Sequence, residues 1–204
     1  PPPPPPPPPH PPPPPPPPTP PLTLHDALPI LKERYLSPSI AGEKIGCLCI
    51  SEPFGGSDVA AARTTAEKKG DVYILNGSKT FITNGVLSDY LVVAAKTRPD
   101  LGNKGMSIFI VDRESHGLSA TDLNKLGWKA SDTAEIAFDN VVVPAVNLLG
   151  EENKGFGYIM QQFALERLVM GINAHARAEF ALEYTLQYMD ERKAFGKKLK
   201  EFQA

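Results

Sequence analysis

Between Cys49 and Gly85 the chain concentrates residues suited to hold a flat, phosphate-bearing ligand. Cys49-Ile50-Ser51-Glu52-Pro53-Phe54-Gly55-Gly56-Ser57-Asp58 runs from an apolar strand into a glycine-rich loop. Glycine accepts positive φ and lets backbone amides approach a ligand closely, because no Cβ intervenes. The hydroxyls of Ser51 and Ser57 add donors for phosphate or ring oxygens. Further on, Leu75-Asn76-Gly77-Ser78-Lys79-Thr80-Phe81-Ile82-Thr83-Asn84-Gly85 reads as a β-hairpin. Asn76-Gly77 is a strong two-residue turn signal, and β-branched and aromatic residues flank it. The predicted return strand, Lys79 to Thr83, would set Phe81 and Thr83 beside the loop on one sheet. Spacing alone therefore points to a nucleotide-like ligand on a β domain.

The elements around this stretch divide in two. From Lys44 to Gly150 the pattern is mostly β. Ile45 to Ile50, Val72 to Leu75 and Lys79 to Thr83 read as strands. Tyr90 to Ala95 and Met106 to Val111 are nearly all apolar, as strands buried on both faces are. Thr133 to Phe138 alternates, with Ala134, Ile136 and Phe138 on one face. Short turn-rich gaps between these runs predict an antiparallel barrel or sandwich. Glu151 to Arg192 instead carries apolar residues at helical spacing, among them Ile159, Phe163, Ile172, Phe180 and Leu186. This predicts one long helix, or two nearly continuous ones, with Gly171 a weak point. So much apolar surface on a helix requires partners that the remaining residues do not supply. The expected class is therefore an α+β multi-domain fragment: a β domain over 43–150, then the start of a helical domain over 151–204, truncated.

Composition sets further bounds. Of the 24 prolines among 204 residues, 19 fall within residues 1–21. A run without amide donors or apolar periodicity forms a solvated polyproline helix, so residues 1–30 are read as a disordered low-complexity tract outside the fold. Lys plus Arg number 21 against 23 Asp plus Glu, a formal charge of −2. That balance gives no basic face for nucleic acid. No apolar run approaches a membrane span, and no secretory signal is visible. Cys47 and Cys49 would point to one side of a strand as small buried residues. The four scattered histidines give no metal-ligand spacing, so no metal is expected.

The pattern Ser-Glu-Pro-x-x-Gly-Ser-Asp, followed by Leu-Asn-Gly-x-Lys-x-Phe-Ile-Thr-Asn-Gly, resembles the acyl-CoA dehydrogenase family of flavoenzymes. Further matching stretches are Leu126 to Glu135, Leu149 to Phe156 and Glu191 to Lys197. The resemblance covers about Leu31 to Gln203 and is greatest for the long-chain branch. It makes residues 31–42 a remnant of the link from an N-terminal helical domain. It implies FAD as cofactor, held between the middle β domain and the C-terminal helices. Leu48, Ile50, Ser51, Gly56 and Ser57 would line the flavin and its pyrophosphate. Phe81, standing where tryptophan is often found, would stack on the ring, with Ile82 and Thr83 beside it. Arg192, Phe195 and Gln203 match positions that reach the FAD of a neighbouring subunit, in a homotetramer.

The implied reaction is α,β-dehydrogenation of an acyl-CoA thioester to the trans-2-enoyl-CoA. A carboxylate takes the α-proton, the β-hydrogen leaves as hydride to flavin, and an electron-transfer flavoprotein accepts the electrons. In the long-chain and isovaleryl branches the base precedes an arginine on the helix after the middle domain. That position here is Glu166, in Ala164-Leu165-Glu166-Arg167. Without the resemblance, Glu166 and Arg192 would read as solvated helix residues. Ser57, Ala164, Leu165 and Arg167 would touch substrate. Gly157 departs from the branch, which tends to have tyrosine there. The implied setting is bacterial cytoplasm or the mitochondrial matrix. Two other functions fit the sequence: an acyl-CoA oxidase, and a non-catalytic β module with a proline tail. The chain as it stands is expected to hold FAD poorly and to be inactive, since a second subunit completes the flavin site.

Overall fold

The computed structural model describes residues 29–202. The proline tract at residues 1–21 and Gln203 lie outside the described residues. The first described residues wind through α1 (Pro29–Leu31), a π-helical turn (Lys32–Leu36) and α2 (Ser37–Ile40). Leu31 and Tyr35 anchor this stretch in the core. The Tyr35 hydroxyl donates to the Asp112 carboxylate at 2.9 Å. Burial, reinforced by that carboxylate, pushes the Tyr35 phenol up to about 12.

Eight strands follow: β1 (Gly46–Cys49), β2 (Thr65–Lys69), β3 (Val72–Thr83), β4 (Tyr90–Lys96), β5 (Met106–Asp112), β6 (Leu118–Asp122), β7 (Thr133–Pro144) and β8 (Leu148–Leu149). They form one sheet in the order β6-β7-β3-β2-β4-β5-β8, with β1 alongside β4. One core joins Tyr73 and Leu75 of β3 and Ile136 and Val141 of β7 to Cys49, Leu91, Val93 and Phe109 from β1, β4 and β5. The Tyr73 and Phe109 rings meet at 4.8 Å. A second core lies on the other face of β4 and β5, where Ala94, Met106, Ile108 and Ile110 receive Leu31, Tyr35 and Ile159. The two apolar runs are thus buried on both faces, as predicted. Cys47 and Cys49 are both buried, with their sulfurs 3.7 Å apart.

Two expectations are corrected. The sheet does not close into a barrel: β6 and β8 end the hydrogen-bonded path unjoined. β8 is only two residues long and β6 is a mostly polar, half-exposed strand, so neither edge offers a face that would seal the other. Nor is the sheet wholly antiparallel, since β1 runs parallel to β4 and Thr65 of β2 bridges β4 in the same sense.

The second correction concerns Asn76-Gly77, which is not a hairpin turn. β3 runs straight through it, and the register slips there from Leu75↔Val141 to Gly77↔Phe138. The hairpin turn is Gly70-Asp71, between Lys69 and Val72. β2 reads Thr-Ala-Glu-Lys-Lys and buries only Ala66, so its apolar signal is too thin to mark it as a strand. At the bulge Gly77 has φ +147, and a Cβ there would lie 2.6 to 2.8 Å from Thr64. Opposite, the Asn140 amide donates to Asn76 Oδ1 at 2.8 Å, which stitches the slipped register. The bulge returns an inward face to β7, whose buried positions change from Ala134, Ile136 and Phe138 to Val141 and Val143. Gly77→Val should therefore destabilise the domain by about 1–3 kcal/mol, the cost of overpacking a filled site. Urea denaturation monitored by circular dichroism checks this, and an unchanged midpoint would refute it.

The predicted helical stretch is one helix, α3 (Gly155–Glu191), with no break at Gly171. Its foot is pressed on β5: a Cβ at Gly155 would lie 2.9 Å from the Ser107 backbone. Packing on the β domain continues as far as Phe163, and beyond it Leu168, Met170, Ile172, Phe180, Leu182 and Leu186 are exposed. A hairpin, β9 (Lys193–Ala194) and β10 (Lys197–Lys198), follows the helix.

Candidate functional site

The glycine-rich loop is held by a buried ion pair. After β1 the chain makes a tight turn at Pro53-Phe54, closed by paired backbone hydrogen bonds between Glu52 and Gly55 at 3.0 and 3.1 Å. The Glu52 side chain turns inward, 3 % exposed, and meets Lys79 Nζ of β3 at 2.7 Å. It also accepts from the amides of Arg63 and Thr64 and from the Thr64 hydroxyl. Burial acts first on Glu52 and would raise its carboxyl. The Lys79 ammonium, the Thr64 hydroxyl and the Arg63 amide outweigh that and hold it below its ordinary value. Lys79 in turn donates to the Ile50 carbonyl at 3.2 Å. The neighbouring Thr80 amide donates to Ser51 O at 2.9 Å. Loop and strand are therefore tied together at Ile50, Ser51, Glu52, Lys79 and Thr80. Glu52 and Lys79 both stand in the motifs that mark the site, but spacing does not reveal that they pair across 27 residues.

The tie brings one group of predicted residues together. Ser51, Gly56 and Ser57 lie on the loop, and Phe81 and Thr83 on the end of β3 next to it. Gly56, Ser57, Phe81 and Thr83 are exposed. Among the described residues no acceptor meets the Gly56 or Ser57 amide, and a Cβ at Gly56 would meet nothing within 4 Å. Phe81 is 73 % exposed and sits at φ +58, in a second bulge of β3. Left-handed backbone is costly for a bulky residue, and such strain collects where a ligand is held. These features fit a flavin: a stacking ring, a hydroxyl beside it, and a loop with free donors for phosphate. Ile82 is buried, so its side chain belongs to the core and only its backbone faces this site.

A small apolar cavity of about 80 Å³ opens where α3 leaves the sheet, lined among others by Leu48, Ile50, Ile108, Ile159 and Phe163. Ala164, Leu165, Glu166 and Arg167 form the next turn of α3, and all four are exposed. Glu166 follows Ile159 by seven residues. At 3.6 residues per turn that places it within about 20° of the buried Ile159 stripe, about 10 Å further along the axis. The Arg167 guanidinium lies over the Phe163 ring at 5.6 Å.

Arg192 and Phe195 lie elsewhere. Arg192 ends α3, with its amide donating to Tyr188 O at 2.8 Å. Phe195 sits at the tip of the terminal hairpin, at φ +50 and 97 % exposed. Lys200 and Lys198, both bonded to Asp190, hold that carboxyl below its usual range and fasten the hairpin region to the helix end. Glu166 and Arg192 are 26 residues apart on one helix, about 39 Å. The structure thus brings together the loop and β3, sets the Glu166 turn beside the cavity, and keeps the hairpin apart from both.

Comparison with known proteins matches residues 47–141 to the acyl-CoA dehydrogenase middle domain and residues 153–204 to the acyl-CoA dehydrogenase C-terminal domain. The mouse mitochondrial long-chain specific acyl-CoA dehydrogenase is 45% identical over 168 residues, 81% of this chain and 39% of that protein. Isovaleryl-CoA dehydrogenase of Pongo abelii is 45% identical over 177 residues, 84% of this chain and 41% of that protein. The crystal structure of an acyl-CoA dehydrogenase from Geobacillus kaustophilus superposes with a TM-score of 0.83 at 44% identity, over 88% of this chain and 48% of the other. The chain spans about four-tenths of the length of the curated relatives it matches. With two successive domain matches over most of the chain and a solved relative superposing over 88% of it, the chain belongs to the acyl-CoA dehydrogenase family, whose members are FAD-dependent oxidoreductases.

Proposed function

We propose that the enzyme carrying this chain removes hydrogen from Cα and Cβ of an acyl-CoA thioester, with Glu166 as the base. The observation that carries this reading is the place of Glu166, on the stripe of buried Ile159 and one turn beyond the apolar cavity floored by Leu48 and Ile50. When bound, FAD supplies the hydride acceptor that no side chain provides. Gly56 and Ser57 amides and the Ser57 hydroxyl bind its phosphate-bearing end, and the Phe81 face and Thr83 hydroxyl orient its ring. The apolar lining of the cavity keeps water from the reacting carbons. Glu166 receives the α-proton. Arg167, Ala164 and Leu165 flank the acyl chain. Arg192 and Phe195, too distant for the flavin of their own chain, reach that of a neighbouring subunit in a homotetramer, which Gln203 also serves.

Electron-transfer flavoprotein accepts the electrons in this reading, whether the enzyme works in bacterial cytoplasm or the mitochondrial matrix. Anaerobic addition of an acyl-CoA to the FAD-loaded enzyme should bleach the visible flavin band. Reoxidation should then be fast with electron-transfer flavoprotein and slow with oxygen. No bleaching with any acyl-CoA would sink the proposal, and fast reoxidation by oxygen would make the enzyme an oxidase.

A further inference from the structure

We propose that Asp132 and Arg113 form a clasp on the turn after β3 and are positioning residues for Thr83. The inference rests on the reading of Thr83 as a flavin contact and deepens it. Thr83 is the last residue of β3 and already stands in the turn, where the Gly85 amide donates to Ile82 O at 3.1 Å. Thr83 and Asn84 are thus the two corner residues. Asn84 takes φ +60, which asparagine tolerates in such a turn. A turn held only by its own closing bond is among the looser parts of a fold. Here each of the three residues after Thr83 has a second hold. The Asn84 amide donates to Asp132 O at 3.4 Å. Arg113 donates from Nη1 to Gly85 O at 3.2 Å. The Val86 amide donates to Asp132 Oδ2 at 2.6 Å, a charge-assisted bond.

The two grips come from different strands. Asp132 stands one residue before β7, next to Thr133, which pairs with Thr83. Arg113 stands one residue after β5, and β3, β2 and β4 separate β5 from β7 in the sheet. The turn is also pressed on β7, since a Cβ at Gly85 would lie 2.7 Å from Ala134 Cβ. Position 83 is therefore fixed from two sides, while its side chain stays exposed toward the proposed flavin site. Among the described residues Asp132 Oδ1 is buried and meets no donor. The carboxylate thus acts on the turn through one oxygen, which an asparagine can also present. The Asp132 side chain reaches Val86 across 46 residues, so spacing gives no sign of it. Misplacement of a ligand contact by about 1 Å costs on the order of 100-fold in rate.

Thr83→Val removes the hydroxyl. In the FAD-loaded enzyme it should displace the visible flavin band and slow bleaching by acyl-CoA by about tenfold. Asp132→Ala removes the acceptor of Val86 and should do both at unchanged flavin content. Asp132→Asn keeps an oxygen for Val86 and should return both to within about twofold of the parent. The double variant of Thr83→Val and Asp132→Ala should bleach no more slowly than Thr83→Val alone, because both substitutions spoil one contact. Arg113→Met removes the hold on Gly85, should displace the band in the same sense, and carries the test where Asp132→Ala does not fold. A parental band and rate in either Asp132→Ala or Arg113→Met would overturn the clasp. So would losses that add in full in the double variant, or an Asp132→Asn enzyme as slow as Asp132→Ala. A parental band in Thr83→Val would instead remove the flavin contact itself, which separates failure of that reading from failure of the clasp.

Discussion

In the FAD-loaded enzyme, Glu166→Gln should lower turnover by about 10²- to 10⁴-fold and leave the flavin bound, if Glu166 is the base as proposed. The amide keeps the shape of the side chain and cannot take a proton. Glu166 is exposed on α3 and takes no part in the tie that holds the loop to β3, so the substitution should leave the proposed flavin-binding residues in place. Stopped-flow bleaching of the flavin by acyl-CoA isolates the step in which the proton is removed. Flavin content, read from the visible band of the purified protein, should match the parent. Turnover within a few-fold of the parent would move the base to another carboxylate. Loss of flavin together with turnover would mean that Glu166 supports the cofactor instead.

Lys79→Met is expected to have the largest effect on stability, a loss of about 3 kcal/mol, because removal of one partner strands a buried charge. Glu52 would keep its bonds to Thr64 and Arg63 but lose the cation that balances it. The Ile50 carbonyl would lose its donor as well, so the loop should also release FAD. The acid limb gives an independent check. The Glu52 carboxyl is held below its ordinary value of 4.5 in the folded chain. Its stabilising contribution is therefore present above about that pH and is lost as pH falls through the lowered folded value. In Lys79→Met the unpaired carboxylate is relieved by protonation, so the gap between variant and parent should narrow in acid. Urea denaturation at neutral pH and near pH 4 measures both. A gap of constant size would mean that the pair is not the source of the loss.

Parts of the fold were legible because they rest on local pattern. The apolar runs of β4 and β5 and the alternation of Ala134, Ile136 and Phe138 can only be satisfied by strands of known burial. The 3.6-residue spacing after Gly155 likewise produced a helix. Asn76-Gly77 misled for a physical reason. The same backbone freedom that makes a hairpin turn also makes a bulge, and the choice between them lay with β7 opposite, through Asn140. β2 was illegible because its strand character comes from pairing with β3 rather than from its own side chains.

The sequence by itself pointed to a nucleotide-like ligand on a β domain, and its resemblance to the family implied a flavin there and a base at Glu166. Loop glycines, hydroxyls and an aromatic ring are matters of residue type and spacing. Tertiary structure decided which of them meet. Glu52 finds Lys79 across 27 residues, Ile82 turns into the core while Phe81 turns out, and Arg192 ends about 39 Å along the helix from Glu166, with Phe195 in the hairpin beyond it. Such outcomes depend on strand register, bulge position and helix phase. Each is set by packing against residues distant in the chain, which no local stretch encodes.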